Sequence, residues 1–284
     1  MKKLLAIFFV AISLTSCRDI IELDIPDTAP LLIVNGVITD TVPVQVQVLT
    51  SAPYFSGANP GVSNASVFVF ENGVRIDSLI ESDTASGFYY GSAVGYVGGT
   101  YSIEVQIGSN NPQFESGTWV SSDEELKRCP PIDSFYSEYR EKSLFQPEGY
   151  YVAAHFHEAE GKGDYYRIRA WRNDSLLNTP FDLQYFSDEF ADGLNYNNDP
   201  LPAFTLDGPK PVGTTYKIEL GSITPQFFDF LDILRQQTAQ VGGTFDPPPA
   251  AIIGNIYRKG DPTDYALGYF NASKVNFAET VIVQ

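Results

Sequence analysis

Apolar and polar positions alternate over much of the first half of the chain. Val42, Val44, Val46 and Val48 are spaced by polar or small residues, which turns one face of a strand to a core and the other to solvent. Leu31–Ile38 is rich in β-branched residues and stops at Thr39-Asp40, a second strand. Val67–Phe70 and Arg75–Leu79 flank Asn72-Gly73, two residues that accept positive φ, so the segment predicts a hairpin with a type I′ turn. Gly87–Tyr90 and Gly98–Val105 extend the series. Short strands at even spacing between turn residues are the pattern of a β-sandwich, here spanning residues 31–120.

The second half keeps the strand pattern and adds one helix. Ser121–Pro131 is charged and ends in Cys-Pro-Pro, a linker; residues 132–284 then form a β-rich C-terminal domain. Tyr150–His157 and Tyr165–Trp171 read as paired strands across Gly161–Asp164, and Tyr216–Leu220 as another strand. From Pro225 the period changes. Phe227, Phe230, Leu231, Leu234, Thr238 and Val241 recur at helical spacing, Thr224 can cap the first turn, Pro225 suits it, and Gly242 can close the last. A helix over 225–241 follows, its apolar stripe a face that docks on a core. The expected fold class is therefore mainly β, with an N-terminal sandwich and a β-rich C-terminal domain carrying one main helix.

The N-terminus has a different logic. Met1-Lys2-Lys3, the apolar run Leu4–Leu14 and small residues before Cys17 are the parts of a secretory signal. The run is shorter than the ~20 apolar residues a membrane span needs. Leu14-Thr15-Ser16-Cys17 resembles a bacterial lipobox. That resemblance implies removal of residues 1–16 and acylation of Cys17, with several chains that anchor stably where one is marginal. Residues 17–30 hold Asp19, Glu22, Asp24 and Asp27 with Pro26 and Pro30, an extended tether. Asp19 and Glu22 resemble the acidic export signal of Bacteroidota surface lipoproteins; Ile20 and Ile21 depart from it.

Charge narrows the partners. The chain has 18 basic and 35 acidic residues and a formal charge of −17, with no Lys/Arg cluster, which excludes phosphate-backbone binding to nucleic acid and a polybasic membrane contact. With Cys17 assigned to lipid, Cys129 has no disulfide partner within the chain, and its expected role is that of a small buried apolar residue.

Two clusters carry candidate chemistry. His155 and His157 share one face of a strand, with Glu158 and Glu160 next in sequence, a set that offers zinc two imidazoles and a carboxylate but fixes no third ligand by spacing. Asp188, Asp192, Asn195, Asn197 and Asp199 offer oxygen ligands for calcium, although Phe190 stands where an EF-hand needs an oxygen and Asp199 where it needs a bidentate Glu. No nucleophile-elbow, H-E-x-x-H, P-loop or dinucleotide motif occurs, so no catalytic residue is assigned. Exposed Tyr and Phe, and the polar loop Ser187–Pro202, are the expected recognition surface.

Several short motifs, taken in order, resemble known families. The strand order of residues 31–120 is similar to the immunoglobulin-like carboxypeptidase regulatory domain. Leu32–Asp40, Pro130-Pro131-Ile132-Asp133-Ser134, Ile253-Gly254-Asn255-Ile256 and Ala266–Ser273 together resemble the outer-membrane lipoproteins grouped as domain of unknown function 4249. That resemblance implies an accessory lipoprotein of an outer-membrane β-barrel, a TonB-dependent transporter, with no catalytic residues to carry over. The cargo, and the membrane face it meets, stay open. The alternatives are a hydrolase of glycan or peptide using a metal or carboxylate pair, and a surface adhesin needing no barrel.

Overall fold

The computed structural model describes residues 29–53, 56–144, 146–158, 160–189, 192–193, 208–240, 243, 246, 248 and 250–284. Strands make up 49% and helical turns 7%, so the chain is mainly β, with one α-helix among the described residues.

The alternating first half forms β1 (Leu32–Thr39), β2 (Gln45–Thr50), β3 (Ser66–Glu71), β4 (Val74–Glu81), β5 (Phe88–Tyr90), β6 (Thr100–Ile107) and β7 (Gly117–Ser121), followed by the short β8 (Glu124–Glu125). Leu32, Val34, Val46, Val48, Ile103 and Trp119 point into one core, each full burial of such a side chain contributing about 1.5–3 kcal/mol before entropy. The β3–β4 hairpin turns on Asn72 (φ 49°) and Gly73 (φ 77°), with Glu71 opposite Val74, as the Asn-Gly pair predicts.

The remaining chain forms β9 (Ile132–Arg140), β10 (Gly149–Phe156), β11 (Tyr165–Arg172), β12 (Ser175–Leu176), β13 (Gln184–Ser187), β14 (Thr215–Ile223), helix α1 (Pro225–Thr238), β15 (Ile253–Arg258), β16 (Asp261–Leu267), β17 (Phe270–Ser273) and β18 (Val275–Val281). Its strands do not respect a boundary at 131/132. The seven long N-terminal strands leave β1 and β7 as edges; β15 pairs with β7, β17 runs parallel to β1, and β16 touches β1 at Ile33–Leu267. The eleven-stranded sheet thus closes on itself. Open edges expose unpaired N–H and C=O groups, and a late segment of the same chain covers them.

The expected pairing of Tyr150–His157 with Tyr165–Trp171 is corrected. β10 pairs with β9, while β11 joins β12, β13 and β14, with β18 beyond, in a separate five-stranded sheet. Val152, Ala154 and Phe156 of β10 meet Tyr166, Ile168 and Ala170 of β11 in a second core, so the two strands stack face to face. Between them Gly161 and Gly163 stand at positive φ.

α1 begins as predicted: the Thr224 hydroxyl accepts the Phe227 N–H at 3.2 Å, and Pro225 stands in the first turn. It ends at Thr238 rather than 241, with Ala239 as its C-cap; Val241 and Gly242 lie outside the described residues. Phe227, Phe230 and Leu231 bury with Ile223 and Tyr269 in a third cluster.

The sequence motifs at 32–40, 253–256 and 266–273 meet in one place. The Asn255 side chain accepts the Phe270 N–H and donates to the Phe270 carbonyl, both at 2.9 Å. Gly268 has φ +93°, and a Cβ there would lie 2.3 Å from the Val34 carbonyl oxygen. Glu124 sits at the same junction, buried, and accepts from the hydroxyls of Tyr269 (2.6 Å) and Thr224 (2.7 Å) and from Asn255 (3.3 Å). Burial raises its pKa, opposed by those three hydrogen bonds. These motifs therefore tie the sheets and helix together, a structural duty.

Candidate functional site

The end of β13 faces the 157–164 loop. Both Asp188 carboxylate oxygens accept the Gly163 N–H (3.0 and 2.9 Å), and Asp192 accepts the Gly161 N–H (2.7 Å). Glu158 accepts from Gly193 N–H (2.6 Å) with one oxygen and from the Tyr166 hydroxyl (3.0 Å) with the other. Burial, with Asp164 and Glu158 adding, raises the Tyr166 pKa. Oxygens of Glu158, Asp188 and Asp192 lie within 4.8 Å of one another; the first two are buried and the third is exposed. Arg128 stands at the rim, donating to Asp164 and to the Glu160 carbonyl, both at 3.1 Å.

Of the calcium candidates, Asp188 and Asp192 come together, and Asn195, Asn197 and Asp199, with most of the Ser187–Pro202 loop, lie outside the described residues. Glu158 completes the group, although its sequence position placed it with the histidines. Three carboxylates at this spacing are the oxygen set a hard divalent cation uses. They also lace two loops together through three glycine N–H donors, where charged acceptors strengthen the bonds.

The histidines do not gather a metal set among the described residues. His155 is half-buried, its Nε2 3.0 Å from the Tyr136 hydroxyl and its ring edge-on to Tyr136; His157 is exposed. Cys129 lies in the second core with its Sγ 3.5 Å from the Leu220 carbonyl, and burial pushes its thiol up to about 12, which makes it inert. Cys17 lies outside the described residues.

A concavity between the two sheets lies outside every sequence expectation. Where β11 turns Tyr166, Ile168 and Ala170 into the second core, it turns Arg167 and Arg169 the other way, toward the outer face of β1, β2 and β17. A cleft of ≈ 670 Å³ lies between. One wall carries Asn35, Val37, Gln45, Gln47 and Asn271; the other carries Arg167, Arg169, Glu219 and Phe277; α1 closes it with Phe227, Phe230, Leu231 and Leu234. The lining is mixed, polar along both sheet walls and apolar along α1. Arg169 pairs with Glu219 at 3.5 Å. Arg167 Nε is shut off from solvent without a hydrogen-bond partner, and the guanidinium carbon lies 5.8 Å from the Phe227 ring centroid. The available signal was two arginines on the non-core face of one strand in a strongly acidic chain.

No curated protein matches this chain. Residues 18–277 match a family described as a domain of unknown function, DUF4249. That span takes in the closed sheet, α1, both walls of the cleft and every motif gathered around Asn255, and on it the chain belongs to the DUF4249 family.

Proposed function

We propose that this chain is an outer-membrane lipoprotein, held by acyl chains on Cys17, that acts as a non-enzymatic binding component of a TonB-dependent transporter. The observation that supports binding over hydrolysis is the cleft: its carboxylates, Glu219 and Asp182, are engaged by Arg169 and Thr179, and the charged group left without a contact among the described residues is the Arg167 guanidinium, which holds anions but stays protonated and so serves poorly as a general base. In the carboxylate group at the end of β13, Glu158 and Asp188 are buried with their oxygens engaged by backbone and tyrosine donors. Anchoring is supported by Leu14-Thr15-Ser16-Cys17 and the acidic tether behind it. The barrel partner is supported by the resemblance of the motif set to accessory lipoproteins of such transporters. A membrane-confined protein meets a membrane partner at high effective concentration.

Crosslinking in intact outer membrane followed by pull-down tests this reading. It should recover a large β-barrel protein, and Cys17→Ser should move the chain to the soluble fraction. Recovery of the lipoprotein alone, with uptake unchanged on deletion, would remove the transporter role.

A further inference from the structure

We propose that the cleft between the two sheets binds a small amphipathic anion, a carboxylate on an apolar body of aromatic size, with Arg167 holding the carboxylate. This deepens the binding reading above and rests on it for the use made of the ligand; the contact itself is a property of the isolated protein.

The charges come first. A guanidinium withdrawn from water is costly unless paired, and buried charges in folded proteins are paired or hydrogen-bonded. Arg167 makes no side-chain hydrogen bond or ion pair among the described residues, and its Nε has neither solvent nor an acceptor. Its neighbours are committed elsewhere. Arg169 and Glu219 engage each other. Asp182, the other carboxylate on the cleft wall, accepts from the Thr179 N–H and hydroxyl at 2.9 and 2.6 Å. Arg167 is half-buried with its Nε shut off from solvent, and in a chain with 35 acidic residues it has no carboxylate within ion-pair reach among the described residues. Arg169 is offset by Glu219 and Asp182 is held by Thr179, which leaves the Arg167 guanidinium without a contact of its own among the described residues, and its planar fork of donors suits a single carboxylate. Burial, with repulsion from Arg169 and against the pull of Glu219, lowers the Arg167 pKa to about 10, so the group is charged at neutral pH.

The walls specify the rest of the ligand. Phe227 lies beside the guanidinium. Phe230 and Leu234 continue the apolar surface along α1, and Phe277 and Leu176 stand 40% and 36% exposed on the cleft lining. An inorganic anion would satisfy Arg167 and leave these surfaces wet; a hydrocarbon would cover them and leave Arg167 unpaired. An amphipathic carboxylate does both.

The test is titration calorimetry of the lipidated full chain in phosphatidylcholine nanodiscs, with empty discs as reference, using 4-phenylbutyrate and its uncharged match 4-phenylbutan-1-ol. The acid should bind at least about tenfold more tightly than the alcohol, a difference of ~1.4 kcal/mol. Arg167→Met should erase that preference by bringing the acid to the level of the alcohol. Phe277→Ala, at the cleft's exposed edge, should weaken both equally. Equal binding of acid and alcohol, binding of neither, or a preference that survives in Arg167→Met overturns the proposal, as does a Phe277→Ala variant that binds both probes unchanged. Failure of the transporter reading shows instead as pull-downs without a barrel and leaves this titration as it was.

Discussion

Two regions of the molecule hold charge partly withdrawn from water, and they resolve it in opposite ways. At the end of β13, Glu158, Asp188 and Asp192 crowd together, yet every one of them accepts a glycine N–H from a neighbouring loop, and Glu158 takes the Tyr166 hydroxyl as well. In the cleft, beside the Arg169–Glu219 pair, Arg167 makes no side-chain hydrogen bond or ion pair among the described residues. The first region has its hydrogen bonds in place and holds two loops together. The second is incomplete as it stands. A charged group satisfied within the fold explains itself by structure, whereas one left unsatisfied in a concavity points outward, to a ligand.

The comparison breaks first at Glu158. Glu158→Ala leaves the Gly193 N–H and the Tyr166 hydroxyl without their acceptor, each such loss costing about 1–3 kcal/mol. A loss of about 3 kcal/mol in urea unfolding is expected, and an unchanged midpoint would deny the loop-lacing role.

Glu124 gives a smaller effect with a pH signature. Its folded-state pKa is raised above the ordinary 4.5, so the folded protein binds that proton more tightly than the unfolded chain. Its unfavourable contribution is fully present above the raised pKa and is relieved as pH falls through it toward 4.5. Glu124→Gln should therefore compare best with the parent at neutral pH and lose ground on acidification through that window. A difference that is flat with pH would contradict the buried-carboxylate account.

Arg167→Met sharpens the contrast, because removing a half-buried charge that has no hydrogen bond or ion pair among the described residues should not destabilise. The melting midpoint should hold or rise, by about 1 kcal/mol in stability. A fall of several kcal/mol would make Arg167 a structural group like Glu158.

Calcium gives the smallest expected change. Carboxylates already engaged by N–H donors predict no shift in the melting midpoint on adding millimolar calcium. A rise of several degrees that disappears in Asp192→Asn would make the loop cluster a cation site.

What the sequence revealed follows from how local each signal is. The Asn72-Gly73 hairpin and the Thr224-Pro225 start of α1 were legible because backbone preference at adjacent residues decides them. Alternation told which face of β1 or β11 is buried, but not what lies across from the other face. Thus alternation alone pairs β10 with β11 although its partner is β9, and it carries no sign of the closure of the first sheet by β15, β16 and β17. The same gap hid the site. Asp188 and Asp192, close in sequence, were found; Glu158, brought to them by the fold, was assigned to the wrong cluster. Arg167 was readable as a strand residue, but the roof over it comes from β1, β2 and β17.

The central claim is that Arg167 waits for an anion, and its own Nε–H resonance tests it most directly. In ¹⁵N NMR of the full chain in nanodiscs, with the Arg167 signal assigned by its loss in Arg167→Met, 4-phenylbutyrate should move that resonance, while 4-phenylbutan-1-ol should leave it in place. A resonance that ignores the acid, or that moves alike with acid and alcohol, would contradict the account.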